Sequence, residues 1–156
     1  MAYESRQKEI FEIIEEVCRK RKREEKIKVM KTHESWALKD VLRGFFDTTL
    51  EWSLPKGATP PFTPSHIHNH PKSLRRANRD FKYLVKGGPG DDLNTWKREN
   101  IFIGMLETIH PEDAKLVVKM INREKIYSHR NKTCIHNIII GNFLLTRNIF
   151  KFFSCY

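Results

Sequence analysis

Residues 73–86 read Ser-Leu-Arg-Arg-Ala-Asn-Arg-Asp-Phe-Lys-Tyr-Leu-Val-Lys. Wound at about 100° per residue, Leu74, Ala77, Phe81, Leu84 and Val85 fall within one arc, and Arg75, Arg79, Lys82 and Lys86 fall together more than a third of a turn away. The spacing predicts one helix with an apolar stripe to bury and a basic stripe beside it. Gly87 and Gly88 stand where a C-cap belongs, and Pro89 with Gly90 discourages continuation.

The same periodicity extends outward on both sides. Upstream, Ile10, Ile13, Ile14 and Val17 share one helical face; the helix runs into the basic run Arg19 to Arg23, and Glu24 and Glu25 open a short second helix carrying Ile27 and Met30. Ser35 is a candidate N-cap for a third helix with Leu38, Val41, Leu42 and Phe45 on its inner face. Downstream, a helix from about Asn94 to Ile109 carries Phe102, Met105, Leu106 and Ile109 inward. His110-Pro111-Glu112-Asp113 then starts a helix with Pro at its first position and two acids in its first turn, followed by Ala114, Val117 and Ile121 on the core side.

Two stretches break the pattern. Between residues 48 and 71, Pro55, Pro60, Pro61, Pro64, Pro71 and Gly57 deny regular hydrogen bonding and predict a long connection. After Glu124 no acidic residue follows, and the tail 126–156 turns rich in Ile, Phe and Asn, with a periodicity that fits strand or helix equally. The expectation is an all-α domain over residues 1–125, a bundle of about six helices with a long Pro-rich loop, followed by an apolar and basic tail of undecided structure.

Composition narrows the partners. The chain has 156 residues, one domain's worth, with 39% hydrophobic and 31% charged residues. Lys plus Arg number 29 against 19 acids, a net charge of +10, which points to a polyanion such as nucleic acid or to an anionic surface. Cys18, Cys134 and Cys155 have neither zinc-site nor disulfide-framework spacing, in keeping with a reducing cytoplasm. No secretory h-region follows Met1, and no apolar run approaches the ~18 residues of a membrane span, so a soluble protein is expected.

Several constellations carry chemistry. Arg75, Arg79, Lys82 and Lys86, with Lys72 and Arg76 nearby, could neutralise several phosphates at once, and the backbone N–H groups of Gly87 and Gly88 could hold another. The competing reading is a solvated helix face. The Gly loop lacks the closing Gly-Lys-Ser/Thr of a P-loop. The run Arg19 to Arg23 reads as a helix end balanced by Glu15, Glu16, Glu24 and Glu25. His66, His68 and His70 alternate, so an extended segment would point all three one way toward a transition metal, although no Asp, Glu or Cys nearby completes a shell. The string His68-Asn69-His70 is not an HNH nuclease signature, whose residues are spread over a strand-and-helix unit. Cys18 reads as packing, and Cys134 with His136 lacks an orienting carboxylate. Trp36, Trp52 and Trp96 could stack on bases, though aromatics near helix starts ordinarily pack. In the tail, Ile149, Phe152 and Phe153 repeat the spacing of a sliding-clamp-binding peptide, with Thr146 in place of its usual Gln.

Residues 23–47, with Leu38-Lys39-Asp40-Val41-Leu42-Arg43 at their centre, resemble the opening of the N-terminal helical domain of T-even-type phage DNA ligases, and residues 110–126 are similar to a later helix of that domain. Small proteins of uncharacterised function from T-even-like myoviruses are similar at Trp36-Ala37-Leu38, at residues 82–90 and at residues 101–107. The ligase motif Lys-x-Asp-Gly does not occur in the chain, and the Gly-led helix that follows in both relatives is not reproduced by residues 127–156. The resemblance implies a DNA-binding module without the enzyme. The expectation from sequence is therefore a non-catalytic phage accessory protein in the host cytoplasm, needing no cofactor, that binds duplex DNA through backbone phosphates. The alternative is an adaptor whose tail docks on a replication or transcription protein such as a sliding clamp. A metal-dependent nuclease built on His66, His68 and His70 is a third reading.

Overall fold

The computed structural model describes residues 7–54, 57, 59–124 and 126. Within them the chain is all-α, with helices α1 (Ile10–Arg19), α2 (Arg23–Thr32), α3 (Trp36–Phe46), α4 (Leu74–Ala77), α5 (Thr95–Thr108) and α6 (Pro111–Ile121). A 3-10 helix, Asn78–Tyr83, continues directly from α4. No strand forms among the described residues, and no helix among them is long and apolar enough to cross a membrane.

The helix starts follow local chemistry. Ser35 Oγ accepts from Leu38 N–H at 3.3 Å, and Asn94 Oδ1 from Lys97 N–H at 2.8 Å, satisfying donors that a first turn leaves open. At α6, Pro111 takes the first position and His110 Nδ1 accepts from Glu112 N–H at 3.2 Å. Between α1 and α2 the helix stops at Lys20, whose backbone is extended, and resumes at Arg23 with Glu24 and Glu25 in its first turn.

Helix α6 occupies the centre, packing against α1, α3 and α5. Six of its 11 residues are buried, among them Val117 and Met120. The apolar positions named from periodicity line the core: Ile10, Ile13, Ile14 and Val17 from α1, Leu38, Val41 and Leu42 from α3, Phe102, Met105 and Leu106 from α5. Cys18 is half-buried against this core, its thiol donating to the Ile14 carbonyl.

The segment after α3 departs from a simple connection. Leu50, Trp52 and Leu54 are buried in the core, and residues 51–53 lie antiparallel to 84–86 through Ser53 N–H to Leu84 O (2.7 Å) and Lys86 N–H to Glu51 O (2.9 Å). Arg123, at φ 56°, fastens the same stretch from the end of α6, its guanidinium donating to the carbonyls of Asp47 and Leu50. Two neighbouring backbones are thereby tied down before the Pro-rich part begins.

Candidate nucleic-acid interface

The single α-helix expected over residues 73–86 is replaced by one α-turn and then 3-10 turns. Leu74, Ala77, Phe81 and Leu84 are all buried, in a slot between α3 and α5. Asn78, in the middle of the element, is also buried, and its Nδ2 donates to Asp40 Oδ2 at 2.7 Å. Burial pushes the Asp40 carboxyl above its usual range, against the pull of the Asn78 hydrogen bond and the Arg43 guanidinium. This clasp fixes the rotation of the element against α3. Asn78, which falls beside the apolar arc, was its signal in the sequence, since a polar residue there needs a partner.

Changing the pitch changes the basic stripe. With about three residues per turn, side chains at i and i+3 eclipse one another. Arg79 and Lys82 therefore lie on one edge of the 3-10 helix, and Arg76, three residues before Arg79 in the α-turn, extends the row. Arg76 and Arg79 are exposed, and neither guanidinium has a hydrogen-bond or ion-pair partner among the described residues. Lys82 is half-buried, its ammonium 5.1 Å from the Tyr83 ring centroid. Lys72, exposed, precedes the row and is anchored by its N–H to the Thr108 carbonyl at 2.9 Å.

Other members of the expected site are engaged internally. Arg75 turns inward: one of its Nη atoms donates to the Lys8 carbonyl at 3.0 Å, and its Nε is buried. Lys86 is exposed but pairs with Glu51 at 2.9 Å. Gly87 N–H donates to Asp91 Oδ2 at 2.6 Å and Gly88 N–H to the Val85 carbonyl at 3.2 Å, so acceptors of the chain itself take the donors that the sequence suggested for phosphate. The glycines answer a packing need. A Cβ on Gly88 would stand 2.5 Å from the Lys82 carbonyl oxygen, and one on Gly90 would overlap the Tyr83 carbonyl.

The alternating histidines do not converge. Residues 66–69 form a turn closed by Asn69 N–H to His66 O at 3.2 Å, which breaks the extended path that would align the rings. His66 and His68 lie 6.0 Å apart by ring centroids, whereas His70 packs edge-on against His110 and places Nε2 3.7 Å from Glu9 Oε1. Among the described residues, no group of three His, Cys, Asp or Glu side chains is placed to hold a metal ion. Cys134, His136 and the tail residues Ile149, Phe152 and Phe153 lie outside the described residues.

No curated protein matches this chain, and no solved structure does. One family model, described as Family of unknown function (DUF6433), matches residues 13–127 and so takes in the cationic edge and all of α6. Matched over most of its length, the chain belongs to that family.

Proposed function

We propose that the protein is a non-catalytic nucleic-acid-binding module that grips backbone phosphates along Arg76, Arg79 and Lys82, with Lys72 extending the edge. The observation that carries this reading is the row at three-residue spacing, in which two exposed guanidiniums and a half-buried ammonium follow one another along an element clasped to α3. Adjacent heads in the 3-10 part are about 6 Å apart along the axis, close enough to engage one phosphate strand at successive positions. The net charge of +10 supplies the long-range attraction. Such contacts position the protein without reading bases. The likeness of residues 23–47 and 110–126 to the DNA-binding domain of phage ligases points the same way, and the reading places the chain as a stand-alone phage counterpart of that domain.

The test is charge reversal of Arg76, Arg79 and Lys82 together to Glu, compared with reversal of Arg21 and Lys22, which lie between α1 and α2. Fluorescence anisotropy at low salt should show a loss of about 100-fold or more for the first variant and a much smaller one for the second. Unchanged affinity in a folded triple variant overturns the site.

A further inference from the structure

The three tryptophans divide by burial. Trp52 is closed into the core, whereas Trp36 remains 57% exposed and Trp96 68%. Trp36 opens α3, directly after the Ser35 cap. The Lys39 ammonium sits 5.0 Å from the centroid of its ring and is also paired with Glu34, yet more than half of the tryptophan is open to solvent.

Position gives that exposure a meaning. Trp36 and Asp40 are four residues apart on α3 and share one face, with Cβ atoms about 6 Å apart. Asp40 is the residue that clasps Asn78, and Asn78 is the chain neighbour of Arg79. The hydrogen bond sets the Asp40 side of α3 against the element that carries the cationic edge, and Trp36 stands one turn earlier on that side. An exposed indole with an ammonium over its ring stands about one helical turn from the point where that element is held. Trp96 has a different setting, in the first turn of α5 and preceded in the chain by Asp91 and Asp92.

We infer that Trp36 is a platform on which an unpaired base stacks, with the row Arg76, Arg79 and Lys82 holding the flanking phosphates. The preferred ligand is then a single strand, or a duplex end with an overhang, because bases inside a duplex have both faces covered by their neighbours. Every base has a π-face, so stacking on Trp36 adds affinity without sequence preference. This inference rests on the phosphate-binding reading of the edge.

The experiment uses the full chain and its Trp36→Ala, Trp36→Phe and Trp96→Ala variants, checked for equal thermal melts. Anisotropy is measured with oligo-dT, oligo-rU and a blunt DNA duplex of equal length at one salt concentration, and tryptophan fluorescence is followed in the same titrations. Wild type is expected to bind single strand more tightly than duplex, with quenching on binding. Trp36→Ala should lose about 10-fold on single strand and little on duplex, with Trp36→Phe intermediate and Trp96→Ala unchanged. The two single-stranded probes distinguish a DNA strand from an RNA strand as the source of the base. Equal single-strand affinity and equal quenching in Trp36→Ala, while charge reversal of the edge still abolishes binding, would overturn the stacking platform and leave the edge standing. Absence of binding by wild type to all three probes would overturn the phosphate-binding reading itself.

Discussion

Asp113 occupies the first turn of α6, where an acid ordinarily faces solvent and complements the helix dipole. Here the carboxyl is fully buried. Burial, together with the nearby carboxyls of Glu9 and Glu12, pushes its pKa up to about 7 against the opposing hydrogen bond from Phe11 N–H, which reaches Oδ1 at 2.8 Å. Asp113 Oδ2 and Glu9 Oε2 are buried acceptors without a donor, and a proton on Asp113 supplies one. The unfolded chain loses this proton near pH 4, whereas the folded chain holds it to about pH 7. Stability should therefore fall as pH rises from about 4 to about 7, by up to a few kcal/mol at about 1.4 kcal/mol per pH unit, and level off above that. Asp47 works with the opposite sign: despite partial desolvation, hydrogen bonds from Thr49 and Arg43 hold its carboxyl below the usual range, so its contribution is lost only in stronger acid. Thermal melts should show a higher midpoint at pH 5 than at pH 8, and Asp113→Asn, which keeps an acceptor for Phe11, should flatten that dependence. A wild-type midpoint that rises over the same interval would refute the assignment. Gly90 sets a second limit at this scale. Any Cβ there meets the Tyr83 backbone carbonyl, which cannot swing aside as a side chain could. Gly90→Ala is expected to destabilise by about 2 kcal/mol or more, read from urea midpoints, whereas exposed Gly104, with open space around it, should tolerate Ala.

At the scale of elements, residues 73–86 show how packing can change helical pitch without changing which positions are apolar. Leu74, Ala77, Phe81 and Leu84 are buried as an α-periodicity requires, yet only Leu74–Ala77 is α-helical. The half-buried Asn78–Asp40 hydrogen bond holds one end of the 3-10 run, and the close approach of Gly88 and Gly90 to the carbonyls of Lys82 and Tyr83 holds the other. Replacing Asn78 by Ala leaves the half-buried Asp40 carboxyl without this donor and should cost about 1 kcal/mol. The same change should weaken phosphate binding even though no charge is removed, a pairing of losses that melts and anisotropy on one sample can check. The strip 50–54 is the second element of this kind. Trp52 packs edge-on against Phe81 with centroids 6.2 Å apart and also borders Gly44, where α3 comes close to Met120 of α6. Trp52→Ala should cost about 3–5 kcal/mol by the cavity it opens.

Across the whole molecule, the charge imbalance predicts behaviour in salt. If Arg76, Arg79 and Lys82 each displace one condensed counterion, the slope of log affinity against log salt should be about −3 on duplex and about −2 on single strands. Each Arg or Lys of the row changed to Ala should make the slope shallower by about one unit on duplex. A flat salt response would mean that the charge serves only as a solvated surface. The helical architecture was legible in the sequence because it rests on local causes. Periodic apolar positions face one way on any helix of their spacing, and Ser35, Pro111 and the Gly87 to Gly90 stop act within a turn of where they stand. The candidate site was legible in composition and place, but not in which side chains it presents. Arg75 and Arg76 are adjacent and chemically alike, yet one reaches the Lys8 carbonyl and the other faces solvent. Trp36 and Trp52 are equally aromatic, and only one is buried. Glu112 and Asp113 open the same helix turn, and only Asp113 is enclosed. Periodicity and capping, being local, were enough to dictate the helices, and composition alone dictated the sign of the charge. Tertiary structure alone decided the pitch of residues 78–83, the cationic row and the fate of each tryptophan and acid, because exposure depends on neighbours far away in the chain.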